Sequence, residues 1–355
     1  MRPRWNDYDG PRLVLAGLAL VVVVVFVYAA ATSTAAFGVY NPAWDGSSAV
    51  QSVATQLGTK ATVVESTDNY GVVEPNGSLA LVLSPRTAYQ PAEAAHLEAF
   101  VNAGGTVLVA DDYGAYSNGL LRALGADARI DGRPLRDDHS HYRSPALPVA
   151  TNVSRQPLTA GMERLTLNHG TAVRPNGAET LVRTSEFAYL DENRNTRLDS
   201  TESVASYPVA SVESVGAGRV VVLGDPSALI NVMLERPDNR AFLVNLIGNH
   251  KQILLDVSHA EPVPPIASAV LFLRQSIPLQ AGVGVLLVAA FVLVDRWIGA
   301  SRGGPGLRND TESPSLSRAE MVAFLEARHP EWETERIRRL VEGIKPHGTD
   351  NSLDD

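Results

Sequence analysis

Two long apolar runs constrain the fold of this 355-residue chain more than any other feature of its sequence. The first run, residues 13–31, contains no charged residue, and the second, residues 279–297, contains none before Asp295 and Arg296. A helix needs roughly 20 apolar residues to span a bilayer. We therefore predict a transmembrane helix in each run. The alternatives are a cleaved signal peptide for the first run and a buried core helix for the second.

The arginines beside the two runs predict an orientation. Most basic residues precede the first run or follow the second: Arg2, Arg4, Arg12, Arg296, Arg302 and Arg308, against Lys60 after the first run and Arg274 before the second. Because Lys and Arg are retained on the cytoplasmic side of a membrane, both termini are expected in the cytoplasm and the central segment outside. The predicted localisation is therefore the cell membrane.

The runs divide the chain into seven predicted parts. These are a cytoplasmic N-terminus (1–12), a transmembrane helix (13–31), an extracytoplasmic α/β domain (32–276), a second transmembrane helix (279–297), a linker (298–316), a cytoplasmic helical hairpin (317–346) and a disordered end (347–355). The linker is rich in Gly, Ser and Pro, which is typical of flexible connections. The hairpin is too small for a hydrophobic core of its own, so we expect it to dock on another surface.

Apolar runs alternate with helical patterns in the central segment. Residues 79–84 and 106–110 are almost continuously apolar, as in strands covered on both faces, and a helix starting at Pro91 is predicted between them. The strand-to-helix pattern returns at 218–230. This alternation predicts an α/β fold with a Rossmann-like parallel sheet. Short β-rich runs between about 128 and 215 predict an antiparallel β insertion.

Polar side chains follow the predicted strands at the turns where parallel sheets bind ligands. Arg86, Asp111, Asp112 and Asp225 each come shortly after an apolar run. Because ligands of open parallel sheets bind outside the carboxyl ends of the strands, these four are the predicted ligand-binding residues. Their carboxylates could hold a cation or a basic group of a partner. The alternative is that Asp112 and Asp225 cap the helices that follow, the more common use of Asp at such turns.

The segment 191–202, DENRNTRLDSTE, has the side-chain spacing of a calcium loop. The glycine that usually occupies its sixth position is replaced by Thr196, and the alternative interpretation is a turn rich in Asp and Asn. Because the segment joins two probable strands, bound calcium would be a structural staple. The predicted metal ligands are Asp191, Asn193, Asn195, Asp199 and Glu202.

Composition excludes several classes of function. The chain has no cysteine, so thiol catalysis, thiolate metal sites and disulfides are excluded. Its net charge is −9 with 30 Lys and Arg, and no clustered basic stretch is visible, so we expect no nucleic-acid partner. The motifs of serine hydrolases, P-loop NTPases, zinc proteases and dinucleotide-binding proteins are missing from the sequence. We therefore predict that the protein is not an enzyme.

Several longer stretches carry a resemblance to a known family. They are TVLVADDYG (106–114), GRVVVLGDPSALIN (218–231), DNRAFLVNLIG (238–248) and SRAEMVAFLEARHPEW (317–332). On these stretches the chain resembles haloarchaeal membrane-anchored proteins catalogued as domain of unknown function 4350. The resemblance implies an outer domain similar to the class I glutamine-amidotransferase-like α/β fold and to auxiliary subunits of gliding-type transporters.

The resemblance also bears on activity and partners. Amidases of that fold use a cysteine nucleophile, and this chain has none, so their activity does not carry over. Families of this kind occur beside MoxR-type ATPases and transglutaminase-like membrane proteins, which implies a complex in the cell envelope.

The predicted function is therefore binding without catalysis. A two-span membrane protein would hold its outer α/β domain against a ligand or protein partner in the cell envelope. One alternative is a metal-dependent hydrolase or transferase using Asp111, Asp112 and Asp225. The other is an accessory subunit of a transporter. The predicted cofactor is structural calcium, with no other cofactor expected.

Overall fold

The computed structural model describes residues 35–113, 116–248, 250–260, 318–330 and 332–342, with isolated residues between 14 and 25 and between 282 and 289. The chain divides into two compact units, residues 1–275 and 276–355. All strands of the described residues lie in the first unit.

No helix in the described part of the chain is both long and apolar enough to cross a membrane. A membrane-spanning helix of about 20 residues rises roughly 30 Å, whereas the longest helix with described bounds has 12 residues. The predicted fold class with two flanking transmembrane helices is therefore wrong, as is the predicted cell-membrane localisation with both termini cytoplasmic. Most of the two apolar runs, 13–31 and 279–297, lies outside the described residues.

The first unit contains thirteen described strands and four described α-helices. The strands are β1 (Lys60–Val64), β2 (Ser78–Leu83), β3 (Thr106–Ala110), β4 (Arg129–Asp137), β5 (Val149–Ala150), β6 (Asn152–Val153), β7 (Leu165–Thr166), β8 (Thr171–Arg174), β9 (Glu179–Arg183), β10 (Ala188–Leu190), β11 (Pro208–Val215), β12 (Gly218–Leu223) and β13 (Gln252–Asp256). The helices are α1 (Ser48–Gln56), α2 (Pro91–Asn102), α3 (Ser117–Ala123) and α4 (Asn239–Ile247).

The largest sheet has eight strands in the order β1-β13-β2-β3-β12-β11-β9-β6. Its first five strands are parallel, and β11, β9 and β6 extend it antiparallel from β12. A three-stranded sheet, β10-β4-β8, and a two-stranded sheet, β5-β7, are built from the segment between β3 and β11. The fold is therefore mixed α/β, with a parallel sheet at its centre.

Both faces of the parallel strands are buried, which explains their continuous apolar sequences. Every residue of β2 and of β3 is buried. Successive side chains of a strand point to opposite faces, so Leu79 and Leu81 pack with α1 and α4, while Ala80 and Val82 pack with α2 and α3. The sheet thus separates two hydrophobic cores, with helices packed on each face.

Helix α2 begins where the sequence predicts it. Pro91 stands at the first helical position, where its missing N–H costs no hydrogen bond. The Glu93 carboxylate accepts a hydrogen bond from the Gln90 backbone N–H at 2.7 Å. The side chains of Leu97 and Phe100 pack the helix against the hydrophobic core.

The second unit contains two described helices, α5 (Arg318–Arg328) and α6 (Thr334–Glu342), and these pack against each other. Helix α6 begins four residues after Pro330. Trp332 lies in the connection and stacks on His329, with ring centroids 4.3 Å apart.

A close approach between backbones at the start of β12 gives a test of this architecture. A Cβ on Gly218 would clash with the backbone oxygens of Gly105 and Val101. We expect Gly218→Ala to lower the free energy of unfolding by at least about 2 kcal/mol, because the clashing atoms belong to the main chain and cannot rotate away. Urea denaturation of the full chain measures this.

The matched control is Gly119→Ala in α3, where an added Cβ meets no atom within 4 Å. This substitution should leave stability unchanged or raise it by up to about 1 kcal/mol, since Ala is the better helix former. Equal effects of the two substitutions would contradict the described packing of β12.

Candidate functional site

Three buried aspartates lie at the carboxyl ends of parallel strands, two of them on the neighbouring strands β3 and β12. Asp111 follows β3, Asp225 follows β12 after one intervening residue, and Asp256 ends β13. The first two are fully buried and the third is 7% exposed. A buried carboxylate needs hydrogen-bond donors, and here the donors come from the turns that follow each strand.

Asp111 organises the start of α3. One carboxylate oxygen accepts the N–H of Asp112 at 2.9 Å, and the other accepts a short hydrogen bond from the Ser117 hydroxyl. Asp112 in turn accepts the N–H of Tyr113 at 2.7 Å. These contacts hold the turn that presents Tyr113.

Asp225 caps the short 3-10 helix that follows β12. Its two carboxylate oxygens accept the backbone N–H groups of Ser227 (2.7 Å) and Asn168 (2.6 Å). Burial raises the pKa of Asp225 to about 8, and the neighbouring charge of Asp112 acts in the same direction. Burial also raises the pKa of Asp112. The capping role weighed in the sequence analysis for Asp225 is the one that the structure shows.

The structure brings three of the four predicted ligand-binding residues together. Asp111, Asp112 and Asp225 are close enough to affect one another electrostatically. Arg86 belongs to another part of the same sheet edge, because its exposed segment is joined to the end of β13 by a 2.7 Å hydrogen bond from its N–H to the His259 carbonyl.

The predicted calcium loop begins at a buried carboxylate. Asp191 accepts the backbone N–H groups of Asn195 and Thr196, each at 3.0 Å. Thr196, in the position where such loops carry glycine, has a φ of +68°. The loop therefore makes the sharp bend that the glycine would allow, at the cost of a left-handed residue.

The remaining predicted ligands hold the loop through mutual hydrogen bonds. The side-chain amides of Asn193 and Asn195 donate to Asp199, at 2.6 and 2.8 Å. Glu202 closes the loop by accepting the N–H groups of Glu192 and Asp199. The five predicted residues thus share one hydrogen-bonded loop.

A guanidinium already neutralises the first of these carboxylates. Arg136 Nε donates to Asp191 at 2.6 Å, and both side chains are largely or fully buried. Hydrogen bonds and the charge of Arg136 lower the pKa of Asp191 against the opposing effect of burial. Within the described ranges, no three His, Cys, Asp or Glu side chains form a group that could hold a metal ion.

A small pocket lies between this loop and the aspartate turn. We name it the Tyr113 pocket; its volume is about 150 Å³. It is lined by Tyr113, Pro134, Leu135, Arg136, Ala146, His169 and Arg194. The pocket therefore lies between the carboxyl end of β3 and the antiparallel insertion.

Tyr113 stands between opposite charges. Its hydroxyl donates to the His169 carbonyl at 2.6 Å, and the Arg194 guanidinium lies over its ring, 5.5 Å from the centroid. Burial, together with the charges of Asp112 and Asp225, raises the pKa of Tyr113 to about 12, although the two arginines of the pocket oppose this. The phenol therefore stays protonated at neutral pH.

Two pocket residues have strained backbones. His169 has a φ of +62° and Arg194 a φ of +59°. Left-handed residues other than glycine cost roughly 1–2 kcal/mol each, and such strain concentrates at functional sites. Neither residue is in the predicted site. The sequence signal for Arg194 is its positive charge, which does not suit a calcium loop. The structure places this charge at the pocket.

A second polar network at the end of β13 is absent from the predictions. Asp256 accepts the hydroxyl of Tyr70 (2.7 Å) and both the N–H and the hydroxyl of Ser258. His259 bridges Ser258 (2.9 Å) and Glu93 (3.1 Å). With Asp256 as its acceptor, the Ser258 hydroxyl is committed to a structural hydrogen bond, and the network ties the start of α2 to β13.

Comparison with known proteins supports a family assignment. Residues 39–247, more than half of the chain, match the model of a family described as "Domain of unknown function (DUF4350)". The matched range covers the described elements from α1 to α4, with Asp111, Asp225 and the loop 191–202, and ends before β13. No curated protein matches the chain.

Several solved structures show a distant similarity. The mmIFT52 N-terminal domain is 16% identical with a TM-score of 0.40, over 52% of this chain and 79% of that domain. A cytoplasmic protein of Salmonella typhimurium is 14% identical with a TM-score of 0.35, over 52% and 74% of the two chains. An exo-β-1,4-mannosidase from Opitutaceae bacterium strain TAV5 is 14% identical with a TM-score of 0.29, over 47% and 24%. At these low scores the similarities carry no conclusion about function.

The raised pKa of Asp225 predicts a specific pH dependence of stability. Between its ordinary pKa of 3.8 and its folded value of about 8, only the folded state keeps the proton. Stability should therefore fall as the pH rises through this window, by up to about 1.4 kcal/mol per pH unit. Urea denaturation from pH 5 to pH 8 measures the slope.

Asp225→Asn isolates this contribution because asparagine does not ionise. The difference in unfolding free energy, wild type minus variant, should decrease steadily across the window. Parallel curves for the two proteins would show that the proton on Asp225 is not linked to folding.

Proposed function

The chain belongs to the DUF4350 family, and we propose that its α/β domain binds a ligand or protein partner without catalysing a reaction. The observation that carries this proposal is the position of the Tyr113 pocket. Open parallel sheets bind ligands outside the carboxyl ends of their strands, and the pocket lies directly after β3.

The hydrogen bonds of the aspartate turn favour binding over catalysis. Both oxygens of Asp111 and both oxygens of Asp225 accept donors from their own turns. These bonds account for Asp111 and Asp225 by structural roles in their turns, without the metal-dependent hydrolase or transferase chemistry considered for Asp111, Asp112 and Asp225. This alternative, and a role as a transporter accessory subunit, remain predictions with less support.

The proposal also includes the architecture, the source organism and the partner that the family resemblance implies. Five parallel strands with helices on both faces support a glutamine-amidotransferase-like architecture for the α/β domain. The acidic, lysine-poor composition supports a haloarchaeal source. The complex with a MoxR-type ATPase stays a prediction.

Calcium in the loop 191–202 also stays a proposal. Supporting it are the bend at Thr196 and the oxygens of the five predicted ligands in one loop. The ion pair between Asp191 and Arg136 opposes it, because it offsets the charge that a cation would need. Asp191, Asn193 and Asn195 would supply the first oxygens, and bound calcium would stiffen the loop that presents Arg194 to the pocket.

Site-specific crosslinking tests the binding function. A photoreactive phenylalanine analogue in place of Tyr113 should form a defined, saturable adduct in the source cells, because Tyr113 lines the pocket and is 42% exposed. Mass spectrometry identifies the adduct. The control position is Leu57, which is 41% exposed just before β1, at the opposite end of the parallel strands. Equal labelling at both positions, or no adduct at position 113, would refute the proposal.

Thermal denaturation with and without calcium tests the loop. If the folded state alone binds the ion, saturating calcium should raise the melting temperature by several degrees, as expected from about 1–3 kcal/mol of linkage. Asp199→Asn should reduce this shift, since it removes a charged ligand without touching the ion pair of Asp191. Glu186→Gln, at an exposed carboxylate outside the loop, should keep it. The same shift in all three proteins would place the ion elsewhere.

A further inference from the structure

The charged side chains of the Tyr113 pocket have one sign. Arg136 and Arg194 line it, and no carboxylate does. The Asp191 carboxylate pairs with Nε of Arg136 at 2.6 Å from outside the lining, whereas no carboxylate of the described residues pairs with Arg194. The side chains that line the pocket therefore carry positive charge and no negative charge.

The guanidinium groups that line this cavity have N–H donors without a hydrogen-bond partner among the described residues. Arg136 gives Nε to Asp191, and among the described residues no hydrogen bond engages its Nη nitrogens. The Arg194 guanidinium stacks on Tyr113, and no carboxylate of the described chain lies within ion-pair distance of it. Two planar guanidinium groups with free N–H donors match the geometry of carboxylate and phosphate oxygens.

The size of the cavity limits what can enter. Pockets for whole small-molecule ligands measure about 300–1,000 Å³, whereas this one measures about 150 Å³. It has room for a head group only. Its remaining walls, Pro134, Leu135 and Ala146, are apolar and leave the two arginines as the charged donors of the pocket.

We propose that the Tyr113 pocket binds the oxyanion head group of a ligand, a carboxylate or a phosphate, with Arg136 and Arg194 as its donors. This inference rests on the proposed binding function and specifies the chemistry of the ligand. The rest of the ligand would extend out of the pocket past the exposed side chains of His169 and Arg194.

Titration with small probes tests the inference on the full chain. Sodium phosphate, sodium acetate and tetramethylammonium chloride are each added at constant ionic strength, and chemical shifts or melting temperatures give the dissociation constants. At least one oxyanion should bind saturably and the cation should not. A preference for phosphate or for acetate identifies which of the two head groups the pocket takes. Absence of saturable binding by both oxyanions overturns the inference.

Two arginines of one loop supply a matched pair of variants. Arg194→Gln should weaken oxyanion binding at least tenfold, as expected for the loss of a charge-assisted hydrogen bond. Arg197→Gln, an exposed neighbour outside the pocket lining, should change it less than twofold. Arg194→Lys should fall between the two, because it keeps the charge without the planar fork. Equal losses in the two glutamine variants would indicate a general charge effect and overturn the inference.

The crosslinking readout separates this inference from the function on which it rests. An adduct at position 113 reports occupancy whatever the charge of the ligand. An adduct with no oxyanion binding therefore overturns the inference and leaves the proposed function standing. Loss of the adduct removes the proposed function itself.

Discussion

Burial of the parallel strands on both faces is the constraint on which the rest of the first unit depends. Strands β2 and β3 expose no residue, so they offer solvent neither a side chain nor an edge. Polar chemistry can therefore appear only where the strands end. Asp111, Asp225 and Asp256 occupy those ends, and each is satisfied by the turn that follows it. The carboxyl ends of the strands thus carry structural hydrogen bonds and are also the place where a ligand can bind.

The antiparallel insertion adds what the parallel sheet lacks. The sheet ends contribute acidic groups, whereas the insertion contributes the cationic ones, Arg136 and Arg194. Arg136 is held by Asp191, and a second ion-pair network centred on Asp131 ties β4 to β8 through Arg174. These pairs tie elements of the insertion to one another. The pocket exists because the two parts of the unit meet at Tyr113.

Sequence patterns predicted the local elements of the sheet better than the site. Strand β3 lies at the predicted residues 106–110, and β2 is displaced by one residue, because continuous apolar runs bounded by glycine or proline leave few alternatives. The long apolar runs 13–31 and 279–297 led to the wrong fold class, since no helix among the described residues is long and apolar enough to cross a membrane. Arg136 and His169 could not be predicted, because their roles come from contacts between segments far apart in the chain.

The loop 191–202 and the turn at Tyr113 also have a consequence for cooperativity. The Tyr113–His169 hydrogen bond joins residues 56 positions apart, and the Arg136–Asp191 pair joins residues 55 apart. Tying together the ends of a flexible segment of this length costs roughly 3–4 kcal/mol of chain entropy. These two contacts already hold the segments together. A head group bound between Arg136 and Arg194 would therefore order little additional chain, and the entropic cost of its binding would be small. Ligand binding and the local opening of the insertion would then be thermodynamically linked, so that a bound ligand would lower the population of the open state.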